Sequence, residues 1–168
     1  TTQKSIDALE KLTRAADIEY RNIVPTNYEK TKQHLKDIGF DEHLYNDCLF
    51  STITVNTNFR TAMHQDADNY NGFALMAVLS PEDEPFTGGE LLLPKFKAKI
   101  KLESGDFVLI KNKEFHTNAP ILGSGRRFSF VFYIRENIRK YYQNLKSKSG
   151  ELMIKEYVPD IFIDYNRP

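Results

Sequence analysis

From residue 49 onward the chain alternates between short β-type runs and clusters of turn residues, a texture that points to a two-sheet architecture. The runs cover residues 49–56, 72–79, 90–93, 96–102, 106–110 and 127–134, and residues 80–85 and 122–125 read as loops. The run at 127–134 is the most informative. Arg127, Ser129, Val131 and Tyr133 share one face of a strand, and Phe128, Phe130, Phe132 and Ile134 share the other. Three phenylalanines on one side make a packing face. An arginine, a serine and a tyrosine on the opposite side fit either a solvent face or a site.

Helices flank this β region. Ser5 is placed to cap a first helix, in which Ile6, Leu9, Leu12 and Ala16 recur near helical spacing. Thr26 with Glu29 forms a capping box for a second, striped by Tyr28, Leu35 and Ile38, with Gly39 as its stop. A last helix runs from residue 138 to about residue 146. The predicted fold is mainly β with flanking α-helices, a jelly roll with helices packed on one sheet. One domain is expected over 1–168: helices to about residue 40, a β core at about 48–135, then a C-terminal helix and tail.

Composition narrows the functional classes. A chain of 168 residues, 40% hydrophobic and 27% charged, has enough apolar surface to bury a core and is not a disordered segment. Cys48 is the single cysteine, which excludes an intramolecular disulfide framework and fits a reducing compartment. No apolar run approaches membrane-span length, and the first residues lack the apolar stretch of a signal peptide. An intracellular protein without membrane or obligate protein partner is expected. The net charge is zero, but residues 1–84 carry 8 Lys/Arg against 14 Asp/Glu, so the second half is basic. Such a half either meets phosphates or intermixes with the first half in one fold.

Three clues carry chemistry. His64 and Asp66, two apart on an extended segment, point the same way and can reach one cation. His116, after the turn and strand at 105–110, completes two histidines and one carboxylate, the set that leaves iron positions open. Zinc accepts the same ligands, although closed zinc sites favour four with cysteine. Arg127 with Ser129 then offers a guanidinium fork and a hydroxyl to a carboxylate. Arg126 is the rival, but alternation places it with the phenylalanines. His34 and His43 read as ordinary surface or packing residues.

In this order and spacing these residues resemble the Fe(II)/2-oxoglutarate dioxygenases, and within them the TET/JBP branch that oxidises the 5-methyl group of pyrimidines. The resemblance rests on residues 56–66 with Asp68 and Asn69, on Phe86-Thr87-Gly88-Gly89-Glu90-Leu91-Leu92-Leu93-Pro94, on Gly105-Asp106, on His116-Thr117-Asn118-Ala119-Pro120 and on Arg127-Phe128-Ser129-Phe130-Val131-Phe132-Tyr133. It spans roughly half the chain. It implies a double-stranded β-helix with iron(II) on His64, Asp66 and His116, 2-oxoglutarate on Arg127 and Ser129, and O2 as the oxidant. Asn69 is implied to address the polar edge of a flipped base in DNA, and Tyr133 to contact it. Where the family often has a histidine two residues after that tyrosine, this chain has Arg135, which only donates and suits a base carbonyl or a phosphate.

Some positions keep two readings. Asn56 and Arg60 have the parity of His64, so Arg60 is a further co-substrate candidate unless the chain bends between them. Lys95, Lys97, Lys99 and Lys101 alternate with Phe96, Ala98 and Ile100, giving either a solvated edge or a track for the DNA backbone. Gly88-Gly89 fits a tight turn better than a phosphate cradle, since no helix start or Lys-Ser/Thr follows. The implied reaction is oxidation of 5-methylcytosine, or of thymine, in DNA. The alternatives are a hydroxylase of a free nucleoside, amino acid or peptide residue, a metal-binding jelly roll without turnover, and a DNA-interaction module.

Overall fold

The computed structural model describes residues 2–41, 44–66 and 69–149. Helix α1 (Thr2–Ile23) buries Thr13, Ala16, Asp17 and Tyr20, the spacing of one helical face. It begins ahead of Ser5, which lies within it. It ends where Val24 precedes Pro25, a pairing that disfavours helical backbone at Val24 (φ −134°, ψ 62°). Pro25 opens α2 (Pro25–Asp37) at its first position and no side chain caps it, so the capping box expected at Thr26 does not form. The stop at Gly39 does. With Gly39 at φ 69°, its N–H donates to Lys36 O (2.9 Å) and Phe40 N–H to Leu35 O (2.8 Å), a Schellman closure in which Leu35 and Phe40 are both fully buried.

The β region forms two main sheets. Strands β1 (Thr52–Thr57), β2 (Phe73–Leu79), β6 (Phe107–Lys111) and β9 (Phe128–Tyr133) make an antiparallel sheet of order β1-β9-β2-β6. Strands β4 (Leu91–Leu93), β5 (Ala98–Ile100) and β7 (Thr117–Asn118) make a smaller sheet of order β5-β4-β7. A short ladder joins β3 (Thr87–Gly88) to β8 (Ile121–Leu122). The predicted strand at 49–56 begins only at Thr52, because a 3-10 turn at Tyr45–Asp47 and buried Leu49 and Phe50 precede it. The run at 96–102 is cut by a 3-10 turn at Pro94–Phe96 and by Lys97 at φ 50°, so the lysine alternation does not survive.

The helices cover the outer face of the larger sheet. Tyr28, Tyr20, Phe50 and Phe132 form a chain of ring contacts, at 6.2, 5.9 and 5.3 Å between successive centroids, running from α2 through α1 to β9. Leu75, Ala77, Phe132 and Ile134 belong to the same cluster, as does Tyr142 of α3 (Glu136–Ser149), whose ring meets Phe40 at 5.4 Å. A second cluster, Val78, Leu91, Leu102 and Ile110, fills the space between the sheets. β2 is therefore buried on both faces, which explains its unbroken apolar run Phe-Ala-Leu-Met-Ala-Val-Leu. The jelly roll with helices on one sheet is the observed architecture, and α3 starts two residues earlier than expected. No described helix is long and apolar enough to cross a membrane.

Asp17 ties the helical layer to the β core. Its carboxylate accepts from the Tyr28 hydroxyl (2.8 Å) and from the Leu49 backbone N–H (2.7 Å) while only 8% exposed. Burial, with Asp17 next in order, pushes the nearby Cys48 thiol up to about 11, so Cys48 stays a neutral packing group. Asp17→Ala leaves two buried donors without an acceptor and is expected to cost about 2–4 kcal/mol. Urea unfolding is the measurement, and Asp17→Asn, which keeps one acceptor oxygen, should restore part of the loss.

Candidate active site

The pocket lies between the sheets, on the inner faces of β1, β2, β6 and β9 from one side and β4 and β7 from the other, with a volume of about 390 Å³. That is the size of a small-molecule site. Arg127, Ser129, Val131 and Tyr133 all line it, so the polar face of β9 is a site face and not a solvent face.

His64, Asp66 and His116 converge at this pocket, with one ligand atom from each lying within 4.8 Å of the others. His64 Nε2 is 3.3 Å from Asp66 Oδ1, and His116 Nε2 is 3.8 Å from Asp66 Oδ2. The backbone enforces this convergence. His64 and His116 form an antiparallel bridge with reciprocal N–H to O bonds of 3.0 and 2.9 Å, which extends the smaller sheet beyond β7. Asp66 N–H donates to Asn112 O at 2.8 Å. Each histidine Nδ1 faces a carbonyl, Ala62 O at 2.8 Å for His64 and Glu114 O at 2.9 Å for His116. A carbonyl only accepts, so each Nδ1 carries the proton and each Nε2 lone pair is left for a metal. Two imidazoles and a carboxylate, without a thiolate, match the donor set of an open non-haem iron site.

Arg127 is 3% exposed. Its Nε has no hydrogen-bond partner, and no carboxylate pairs with it among the described residues. Burial lowers the pKa of its guanidinium, the signature of a cation held without a compensating anion. Its side chain is held by packing. The Phe86 ring lies under the guanidinium at 5.7 Å, and a Cβ on Gly89 would stand 3.1 Å from its Cδ and Nε. Gly89, at φ 70°, thus allows the close approach, and Gly88, at φ 76° within β3, leaves room for Pro120 O, 2.1 Å from where its Cβ would stand, so the pair serves close packing rather than the tight turn expected. Arg126 lies on the other side of the strand, exposed and bonded to Glu84, with Nη2 2.6 Å from Oε1. The alternation that separates the two arginines holds. A buried guanidinium with an unused donor, close to an open His/Asp/His set, fits a bound carboxylate such as that of 2-oxoglutarate.

The remaining candidates divide. Asn69 and Tyr133 line the pocket, with Tyr133 Oη 3.4 Å from Thr54 Oγ1. Arg135 is exposed and outside the lining; its backbone bridges to Asn69. Arg60 is also exposed and outside the lining, so the parity reading fails for it. The chain turns left-handed at Asn58 (φ 47°), which resets the alternation and turns Phe59 and Thr61 to the pocket instead. Asn56 does line it, directly across the ladder from Ser129. Three of the four lysines of the stripe meet glutamates, Lys95 with Glu114, Lys99 with Glu90 and Lys101 with Glu103, which argues against a continuous phosphate track. His34 packs its ring on Tyr70 at 5.7 Å, a packing role as expected, whereas His43 and Asp68 lie outside the described residues. Asn118, quoted only as part of a motif, has a role the sequence did not assign. Its side chain accepts from Thr61 N–H and Oγ1, both at 2.7 Å, and donates to Phe59 O at 3.1 Å, holding the pocket wall.

Comparison with known proteins agrees with this geometry. The family model for Tet_JBP, the oxygenase domain of the 2OGFeDO superfamily, matches residues 1–136. The bifunctional helicase and thymine dioxygenase JBP2 of Trypanosoma cruzi (strain CL Brener) is 32% identical over 139 residues, covering 79% of this chain and 12% of that protein. Thymine dioxygenase JBP1 of Leishmania braziliensis is 26% identical over 122 residues, covering 69% of this chain and 14% of that protein. The chain thus spans a small fraction of the curated relatives it matches. The structure of NgTET1 in complex with 5mC DNA superimposes with a TM-score of 0.57 at 17% identity, over 74% of this chain and 48% of that one, a likeness of fold. The double-stranded β-helix and the motif order inside it have one source: this chain belongs to the TET/JBP family of 2-oxoglutarate- and iron-dependent oxygenase domains.

Proposed function

We propose that this chain oxidises the 5-methyl group of a pyrimidine base in DNA, with iron(II), 2-oxoglutarate and O2. The observation that carries the reading is the buried Arg127 guanidinium, its Nε without a hydrogen-bond partner, in the pocket that also holds His64, Asp66 and His116. The relatives named as thymine dioxygenases and the neighbour bound to 5mC DNA supply the substrate class. When bound, ferrous iron and 2-oxoglutarate supply the oxidising power for an unactivated methyl group, one oxygen atom going to the methyl carbon and the other to succinate.

The chain's own groups hold and orient. The Nε2 atoms of His64 and His116 and the Asp66 carboxylate hold the metal, with both imidazoles locked in one tautomer by the carbonyls of Ala62 and Glu114. Arg127 takes the distal carboxylate of 2-oxoglutarate in a charge-assisted bond, and the Ser129 hydroxyl adds a second donor on the same strand face. Asn69 presents both a donor and an acceptor to the polar edge of the base, while Tyr133 offers its ring and hydroxyl beside it. A base inside a duplex reaches this pocket only by leaving the stack. On this reading Arg135, exposed beside the Asn69 bridge, would contact a DNA phosphate. A DNA substrate also makes the site of action intracellular.

His64→Ala, Asp66→Ala and His116→Ala should each abolish turnover and iron binding in a folded protein. Metal titration and circular dichroism check both halves of that statement. Arg127→Ala is expected to weaken 2-oxoglutarate binding by roughly tenfold to over a hundredfold, the equivalent of about 1.5–3 kcal/mol for a charged hydrogen bond. Arg126→Ala should leave it unchanged, and equal losses from the two arginines would contradict the strand-face assignment. For the substrate, DNA carrying 5-methylcytosine and DNA carrying only thymine are incubated together with iron and 2-oxoglutarate, and nucleosides are measured by mass spectrometry. Asn69→Asp, which only accepts, should shift product toward cytosine, whose exocyclic amine donates, and away from thymine, whose O4 accepts. Product from a free amino acid or peptide, with none from DNA, would overturn the substrate class.

A further inference from the structure

The left-handed turn that removes Arg60 from the pocket has a second consequence. Asn58, at the bend just past β1, makes three bonds to the start of β9. Its Oδ1 accepts from Arg127 N–H at 2.7 Å, its own N–H donates to Arg127 O at 2.9 Å, and its Nδ2 donates to Gly125 O at 3.0 Å. Gly125 is itself buried, and a Cβ there would meet Pro85 O at 2.0 Å, so the segment leading into β9 is pinned on both sides. Arg127 is therefore gripped at both its backbone polar groups, while Phe86 and Gly89 confine its side chain.

We infer that Asn58 is a positioning residue for the Arg127 guanidinium and so sets the affinity for 2-oxoglutarate. The inference rests on the reading of Arg127 as the co-substrate arginine. Its physical basis is leverage. A long side chain whose Nε has no hydrogen-bond partner is aimed by its Cα position and its packing, so loosening the backbone at residue 127 spreads the guanidinium over more orientations. Asparagine suits the position because it tolerates φ 47° and supplies an acceptor and a donor at once. A mere fastening of the sheet end would instead lower stability without favouring one ligand.

Asn58→Gly keeps the left-handed backbone and removes both side-chain bonds, so strain does not confuse the result. Calorimetry with Mn(II) in place of iron is expected to show 2-oxoglutarate binding about tenfold weaker, with Mn(II) affinity unchanged. Asn58→Asp, which keeps the acceptor for Arg127 N–H, should recover most of that loss. In an Arg127→Ala background, Asn58→Gly should add nothing, because its effect passes through the guanidinium. Should the glycine variant unfold, Asn58→Ser makes a smaller cut and is read by the same ratio of affinities. A full further loss in the Arg127→Ala background, or parallel losses of Mn(II) and 2-oxoglutarate affinity, overturns the inference. So does a loss at Arg127→Ala with none at Asn58→Gly. An Arg127→Ala protein that binds 2-oxoglutarate like the parent overturns the co-substrate reading and takes this inference with it.

Discussion

Strand β9 is hydrogen-bonded on both sides, to β1 along its whole length and to β2 from Phe128 to Phe132, and its two faces are chemically opposite. Phe130 and Phe132 anchor the outer face beneath the helices, through the ring chain that ends at Tyr28. Because strand alternation is strict, that anchoring leaves the inner face to Arg127, Ser129, Val131 and Tyr133. A one-residue slip would bury Arg126 and expel Arg127. The hydrophobic core therefore decides which arginine enters the pocket, and the register of one strand links the stability of the fold to its chemistry.

The metal-ligand set depends on a second, more local device. His64 and Asp66 lie on a segment bridged to His116 by a reciprocal pair, and the same two hydrogen bonds that extend the smaller sheet bring the imidazoles to 4.3 Å between centroids. The carbonyls two residues before each histidine set both tautomers. Arg127, a buried cation, lines the same pocket. Burying a guanidinium unpaired is costly, and a protein that does so gains from an anion that pairs with it. An anionic, chelating co-substrate meets both requirements of the pocket.

Much of this was legible in the sequence because it is local. Period-two alternation at 127–134 separated site face from core face, and the triad was visible as residue types at suitable spacing. What failed were inferences carried across a break in the backbone. Arg60 is a co-substrate candidate only if parity runs unbroken through Asn58, and the lysine face exists only if it runs unbroken through Lys97; both of those residues have positive φ. The two-residue strands β3, β7 and β8 are too short to show any period. Thr26 has the chemistry of a cap, but Pro25 starts the helix with Val24 at the cap position, two residues earlier.

The sequence by itself determined the class of fold, the ligand types and the strand face that carries the arginine, since these follow from side-chain chemistry and from the fixed repeat of an extended chain. Only the tertiary structure decided which of the polar residues meet. The bridge between His64 and His116 joins segments 52 residues apart, Asn58 reaches Arg127 across 69, and Asp17 reaches Leu49 across 32. No local periodicity encodes such contacts. They exist because the cooperative burial of the two cores brings distant segments together, and because backbone groups left over at strand ends must then find partners.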